Sequence, residues 1–305
     1  IACYEDKQFR FEVIDEAQMI KNQNTAAAKA VKLIQAVTRY ALTGTPIENR
    51  LSELWSIFDY LMQGFLYDYQ SFRQDMETPI VKNGNQEVRD RLRRMVAPFI
   101  LRRRKQEVLK DLPDKLEEIR YAGMSEKQRK LYDGQVVRLQ KLLREQSDDD
   151  YNKSRIQILA ELTRIRQICC DPSLIFEDYN GESAKRDSLL ELVEGIVEGE
   201  HKALIFSQFT SMFDIIEKEL VERAIPYYKI TGSTPKEKRV ELVNAFNKND
   251  VPIFLISLKA GGTGLNLTGA DMVIHYDPWW NQSAENQATD RAYRIGQKKI
   301  GRAHV

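Results

Sequence analysis

IFLISLKAGGTGLNLTGADMVIHYDPWWNQSAENQATDRAYRIGQ, residues 253–297, is the stretch whose reading decides the rest of the chain. It opens with an apolar run, Ile253 to Ile256, of the length and composition of a buried strand. Gly261-Gly262-Thr263-Gly264 follows, a turn at which backbone can approach a ligand or another chain closely. A second apolar run, Met272 to Tyr276, ends in Asp277-Pro278-Trp279-Trp280-Asn281, and a helix is expected from about Ser283. On that helix Gln287, Arg291 and Arg294 fall at i, i+4 and i+7, which predicts one amide and two guanidinium groups on a single face. Ala288, Ala292 and Ile295 lie to the side of it and are expected to pack inward. Two arginines alone read as a solvated surface; the ordered strands and turns before them point to a site.

The chain has 305 residues, enough for two domains of ordinary size. It is 42% hydrophobic and 30% charged, a balance that builds cores and stays soluble. No apolar run reaches the roughly 20 residues that span a bilayer, and no signal peptide is evident. The first residue is Ile1, so the natural N-terminus is expected to lie upstream. Net charge is +1, so any nucleic-acid surface must be local. Cys3, Cys169 and Cys170 show neither disulfide nor zinc-ligand spacing, in keeping with a reducing, cytoplasmic setting.

From the start, Phe9 to Ile14 reads as a strand ending in Asp15-Glu16-Ala17-Gln18. Acidic residues at the C-terminal end of a strand sit where parallel α/β sheets place chemistry; the plainer reading is a cap for the next helix. Ala26 to Ile34 reads as a helix and Arg39 to Leu42 as a short strand, followed by Thr43-Gly44-Thr45-Pro46. Gly64 to Asn85 is aromatic and reads as an irregular insertion. Between Arg89 and Lys105 stand eight basic residues, Arg102 and Arg103 among them, against one acid. Such a patch suits either solvent or phosphates. Leu112-Pro113 marks a boundary. Beyond it come two helices, Ser125 to Leu143 and Ile156 to Ile168, expected to pack through apolar stripes. Strands and helices then alternate from Ala203, with hydroxyl-rich turns at Ser207-Gln208 and Thr231-Gly232-Ser233-Thr234. That alternation predicts an open parallel sheet with right-handed crossovers.

These boxes, in this order, resemble the helicase-like ATPases of superfamily two, and within them the Swi/Snf-type DNA translocases. DEAQ, LTGTPIEN, PFILRR, FSQFT, ITGSTPKEKR and DPWWN…RIGQ all match, with Gln18 where many relatives carry His. The resemblance implies an α/β fold of two RecA-like lobes with parallel sheets, the first incomplete, plus helical insertions. Lobe 1 would cover 1–112 with an edge insertion about 64–97. Lobe 2 would cover 113–300 with a helical protrusion about 125–172. It also implies ATP and magnesium as cofactors, double-stranded DNA as partner with room for a DNA-bound protein, and a monomeric, cytoplasmic, bacterial protein. Asp15 would hold magnesium through water, and Glu16 would activate the attacking water. Arg291 and Arg294 would act as fingers on the transferring phosphoryl group, beside Gln287, Gly262 and Gly264. Thr43, Gly44 and Thr45 would couple the ATP and DNA sites. Arg102, Arg103, Gln208, Thr231, Lys259, Trp280 and Asn281 would contact nucleic acid. A planar, always-charged guanidinium suits the dispersed charge of phosphoryl transfer.

No GxxxxGK[ST] loop occurs in the 305 residues. The resemblance places it upstream of DEAQ, together with a strand expected between the DEAQ and TGTP strands. The chain alone is therefore expected not to hydrolyse ATP; the alternative readings are a non-catalytic nucleic-acid-binding or scaffold protein that kept the fold, and the motor subunit of a restriction or repair complex. The last five residues, Gly301-Arg302-Ala303-His304-Val305, match a common sequencing-adaptor translation and are expected to be foreign to the gene.

Overall fold

The computed structural model describes residues 4, 7–44, 50–103, 116–144, 151–261, 265–280, 282–293 and 301–304. The chain divides into two compact units, Ile1–Val108 and Leu109–Val305.

In the first unit, strands β1 (Gln8–Ile14) and β2 (Gln35–Ala41) pair in parallel, Gln8 opposite Gln35 and Ile14 opposite Ala41. The strand expected between them has no place there: the two are direct neighbours. β2 also begins four residues before the predicted Arg39, because backbone pairing with β1 recruits polar Gln35 and Thr38 that pattern alone leaves out. Helix α1 (Ala26–Lys32) makes the crossover, its first turn capped by Thr25 Oγ1, which accepts the Ala28 N–H at 3.2 Å. Ile20, Ala28 and Tyr60 form a small core with Ile14, Val31 and Ala41. Phe11, Val13, Val37 and Tyr40 remain exposed on these strands, although parallel sheets are usually covered on both faces.

Helix α2 (Leu51–Leu61) leads into the segment expected to be irregular, and here the structure differs. It is helical: α3 (Tyr69–Phe72), a π turn (Arg73–Glu77) and α4 (Thr78–Asn83), followed by α5 (Gln86–Val96). Its turn-forming residues start and stop short helices. Asp68 Oδ1 accepts the N–H groups of Gln70 and Ser71 at 2.9 and 3.0 Å, and Gly84 at φ 60° closes α4. Leu54, Trp55, Phe58, Leu66, Phe72, Met76, Leu92 and Val96 make one core of these pieces.

The second unit is built on a parallel six-stranded sheet. Its strands are β3 (Leu116–Ile119), β4 (Ala203–Ser207), β5 (Tyr227–Ile230), β6 (Ile253–Ser257), β7 (Met272–His275) and β8 (Gly301–His304). They lie in the order β3-β8-β7-β4-β6-β5. β8 pairs with β3 and β7, so the pentapeptide expected to be a foreign tail supplies a strand. Ladder bonds use backbone groups only, and such a slot accepts any residues but Pro.

Two helices precede the central strands: α6 (Glu126–Arg144) and α7 (Tyr151–Cys170). Their contact was expected to be apolar, yet the buried α6 side chains are Gln128 and Gln135. Gln128 donates to Ile168 O at 2.9 Å, and Gln135 donates to the buried Glu161. Leu143 and Leu159 of the predicted stripes are exposed.

Around the sheet stand α8 (Ala184–Glu198), α9 (Thr210–Glu222), α10 (Lys236–Lys248), the single turn α11 (Leu258–Gly261) and α12 (Gln282–Thr289). Side chains alternate across a strand, and two cores result. Ala203, Ile205, Ile253, Leu255 and Ile274 pack on α8 and α9 through Leu189, Val193, Phe213 and Ile216. Leu204, Phe206, Phe254, Ile256 and Val273 pack on α10 and the α12 region through Val243, Phe246, Ala288 and Ala292.

Candidate functional site

In the first unit the site forms where β1 and β2 end side by side. Leu42 N–H donates to Ile14 O at 2.8 Å and Ala17 N–H to Leu42 O at 2.9 Å, which ties the two strand ends together. Glu16 sits in the left-handed region, φ 53° and ψ 51°, a conformation that costs a non-glycine residue energy and that recurs at functional sites. Its side chain makes no cap to the following 3-10 turn Ala17–Ile20, so the capping reading does not apply to it. Asp15 is exposed, and its Oδ1 accepts the Glu16 N–H at 2.9 Å. Gln18 Nε2 donates to Glu16 Oε2 at 2.5 Å, and Thr43 Oγ1 donates to Gln18 Oε1 at 2.7 Å. A hydrogen-bonded line thus runs Glu16–Gln18–Thr43. Gln18 was not among the predicted site residues. The signal that could have found it is a side-chain amide, able to donate and accept at once, two residues after a carboxylate.

Gly44 is exposed, and Thr45 lies outside the described residues. Arg102 and Arg103 are exposed, as are Arg89, Arg91, Arg93 and Arg94.

In the second unit, parallel strands bring four predicted nucleic-acid residues to one edge of the sheet. Ser207 is in register with Ser257, Phe206 with His275 and Ile230 with Ile256. Gln208, Thr231, Lys259 and Trp280 therefore all emerge past the C-terminal ends of β4, β5, β6 and β7, where ligands meet α/β sheets. Lys259 and Trp280 are exposed, while Gln208 and Thr231 are half-buried, with Gln208 Nε2 buried. The Thr231–Thr234 turn does not cap α10 through its hydroxyls. Thr234 Oγ1 accepts the Thr231 N–H at 3.0 Å, and Arg239 donates to Thr231 O, Gly232 O and Thr234 O.

Asp277 is buried under β4 and accepts the Gln208 N–H at 3.0 and 3.2 Å. Burial pushes its carboxyl up to about 6, opposed by hydrogen bonds from Ser207 and Gln208 and by the charge of Arg166. Trp279 and Trp280 stack at 5.6 Å between centroids, 8° between planes. The buried Glu285 of α12 accepts the Trp279 N–H. His275 Nε2 lies 2.9 Å from Thr289 Oγ1 on the same helix. Asn281, Gly262, Gly264 and Arg294 lie outside the described residues.

Gln287 lies on α12, and Arg291 lies two residues past its end. α12 ends at Thr289, with four-residue bonds from Asp290 N–H to Asn286 O and, just beyond the helix, from Tyr293 N–H to Thr289 O. Arg291 and Ala292 then turn through three-residue bonds, and Arg291 O accepts the Leu267 N–H at 2.9 Å. Arg291 is buried at 4% exposure, whereas Gln287 is half-buried.

Among the described residues, no three His, Cys, Asp or Glu side chains converge on a metal position, and no helix is long and apolar enough to cross a membrane. A lone exposed carboxylate such as Asp15 fits magnesium, which keeps several waters and takes few protein ligands.

Comparison with known proteins bears on all of this. The SNF2-related domain matches residues 3–174, and the Helicase conserved C-terminal domain matches residues 184–296. YwqA of Bacillus subtilis, named as an ATP-dependent helicase/translocase, is 40% identical over 304 residues, covering 95% of this chain and 32% of its own length. The ATP-dependent helicase MG018 of Mycoplasma genitalium is 41% identical over 297 residues, covering 96% of this chain and 28% of its own. The chain thus spans about a third of the relatives it matches, or less. The solved SWI2/SNF2 ATPase core of Sulfolobus solfataricus in complex with dsDNA is 34% identical, with a TM-score of 0.54 over 100% of this chain and 65% of that one. Parallel sheets in both units, acidic and hydroxyl boxes at the strand ends and these matches agree: the chain belongs to the SNF2-related family of helicase-like ATPases, with two RecA-like units, the first showing two strands among the described residues.

Proposed function

We propose that the intact protein is an ATP-dependent translocase on double-stranded DNA, a nucleoprotein remodeller of the Swi/Snf type. The hydrogen-bonded line Glu16–Gln18–Thr43 carries the proposal. It joins a strained carboxylate at a strand end to the hydroxyl of the next strand end, the connection a motor needs between its hydrolytic and coupling boxes. The relative solved with dsDNA supports duplex as the partner.

In this mechanism Asp15 would hold magnesium through water, and the ion would supply charge neutralisation on the phosphates. Glu16, fixed by Gln18, orients the attacking water and takes up its proton. Arg291 and Arg294, with Gln287, Gly262 and Gly264, stabilise the transition-state charge. Thr43, Gly44 and Thr45 pass the state of the nucleotide to the DNA-facing residues. Arg102, Arg103, Gln208, Thr231, Lys259, Trp280 and Asn281 bind the duplex chiefly through its phosphates. The protein works as a monomer in the cytoplasm. These 305 residues without a GxxxxGK[ST] loop do not turn over ATP by themselves.

The test uses the full-length protein with its upstream sequence. DNA-stimulated ATP hydrolysis is expected, with Glu16→Gln and Arg294→Ala each lowering kcat by about 10³-fold. ATP turnover indifferent to both substitutions, or undiminished without duplex, overturns the proposal.

A further inference from the structure

The most unusual side-chain arrangement in the second unit surrounds Arg166, on α7. Its guanidinium carbon lies 5.2 Å from the ring centroids of both Trp279 and Trp280, and 5.7 Å from that of Phe209. Its Nη2 donates to Pro278 O at 2.6 Å. One cation thus meets three aromatic rings and the backbone of the loop that carries two of them. Stacking leaves Trp280 61% exposed and Trp279 37% exposed. Two exposed tryptophans at consecutive positions would ordinarily be rotationally free. Here the Trp279 N–H is held by Glu285 from one side, and the Pro278 carbonyl by Arg166 from the other.

We infer that Arg166 is a positioning residue: it fixes the Trp279–Trp280 pair so that the outer face of the Trp280 indole is presented to the nucleic acid. The inference rests on the duplex-binding reading given above. α7 belongs to the helical pair that leads into the sheet, and no motif of the active-site boxes includes Arg166. Three features separate positioning from direct phosphate contact. The side chain is half-buried, its guanidinium carbon lies within 5.7 Å of three ring centroids, and one donor is committed to a carbonyl. Guanidinium suits the task because it can stack and donate at once, which an ammonium does less well.

Arg166→Ala, Arg166→Lys and Trp280→Ala in the full-length protein provide the test, with two readouts. In the absence of DNA, near-ultraviolet circular dichroism and acrylamide quenching report the tryptophan pair. Arg166→Ala is expected to reduce the aromatic signal and raise quenching while the melting of the sheet stays cooperative, and Arg166→Lys to restore part of it. Unchanged spectra overturn the inference, whatever happens to binding. With a short duplex, Arg166→Ala and Trp280→Ala are each expected to weaken binding about tenfold, the factor that ~1.4 kcal/mol commands. The slope of log affinity against log salt is expected to stay that of the parent. A slope smaller by about one identifies Arg166 as a phosphate contact and overturns positioning. Wild-type protein that binds no duplex overturns the functional reading and, with it, the purpose assigned to the pair, while the spectra still decide whether Arg166 orders it.

Discussion

Asp277→Asn probes the cost of a carboxylate placed at the functional edge of the second sheet. Asp277 is 3% exposed, and its carboxyl stands at about 6 against 3.8 for a free side chain. A raised carboxyl binds its proton more tightly in the folded state, so its contribution to stability is fully present below the unfolded value. That contribution is lost as pH rises through about 6. The rise from 3.8 to about 6 corresponds to about 3 kcal/mol, and about 2 kcal/mol of that falls between about pH 4.5 and about pH 7.5. Asn keeps an oxygen for the Gln208 N–H but never ionises. Urea unfolding of wild type and Asp277→Asn at both pH values, followed by the fluorescence of Trp279 and Trp280, isolates this group from the others that titrate. The variant is expected to gain about 2 kcal/mol on wild type as pH goes from the lower to the higher value. A stability difference independent of pH, or one that shifts toward wild type at higher pH, refutes the burial argument.

Three further outcomes are expected. Gln18→Ala in the full-length protein should lower DNA-stimulated ATP turnover about tenfold or more, since hydrogen bonds to charged groups are worth about 1.5–3 kcal/mol; Gln18→His, which can also donate and accept, should retain most of it, and steady-state kinetics decides. Arg39→Met should destabilise the first unit by about 3 kcal/mol, because Arg39 donates to Glu12 at 3.1 Å, Tyr60 O at 3.0 Å and Ile34 O at 2.6 Å. Burial already raises the Glu12 carboxyl, so this loss should be larger at neutral than at acid pH in denaturation followed by Trp55 fluorescence. Gln128→Leu should cost about 1–3 kcal/mol, because it orphans Ile168 O and the Ala184 N–H that the 1%-exposed amide now satisfies; thermal unfolding checks it.

Most of the second sheet was legible from the sequence, because buried parallel strands are short apolar runs bounded by turns. Ile253–Ser257 and Ala203–Ser207 are such runs. The acidic and hydroxyl boxes were legible for the same reason: they stand where those runs stop. The segment 64–85 was not, because turn-forming residues read the same whether they break structure or cap short helices. Nor was the buried amide contact between α6 and α7, since helical spacing finds apolar stripes and passes over a paired Gln.

The sequence by itself determined the order of strands and boxes, and through them the family. Local pattern is enough for that, because strand burial and turn chemistry act over a few residues. Only the tertiary structure decided that β1 and β2 are neighbours, that Gln18 links Glu16 to Thr43, and that Arg291 O accepts the Leu267 N–H. Each depends on a hydrogen bond between groups far apart in the chain, such as Leu267 N–H to Arg291 O, and no periodicity along the chain encodes such a partner.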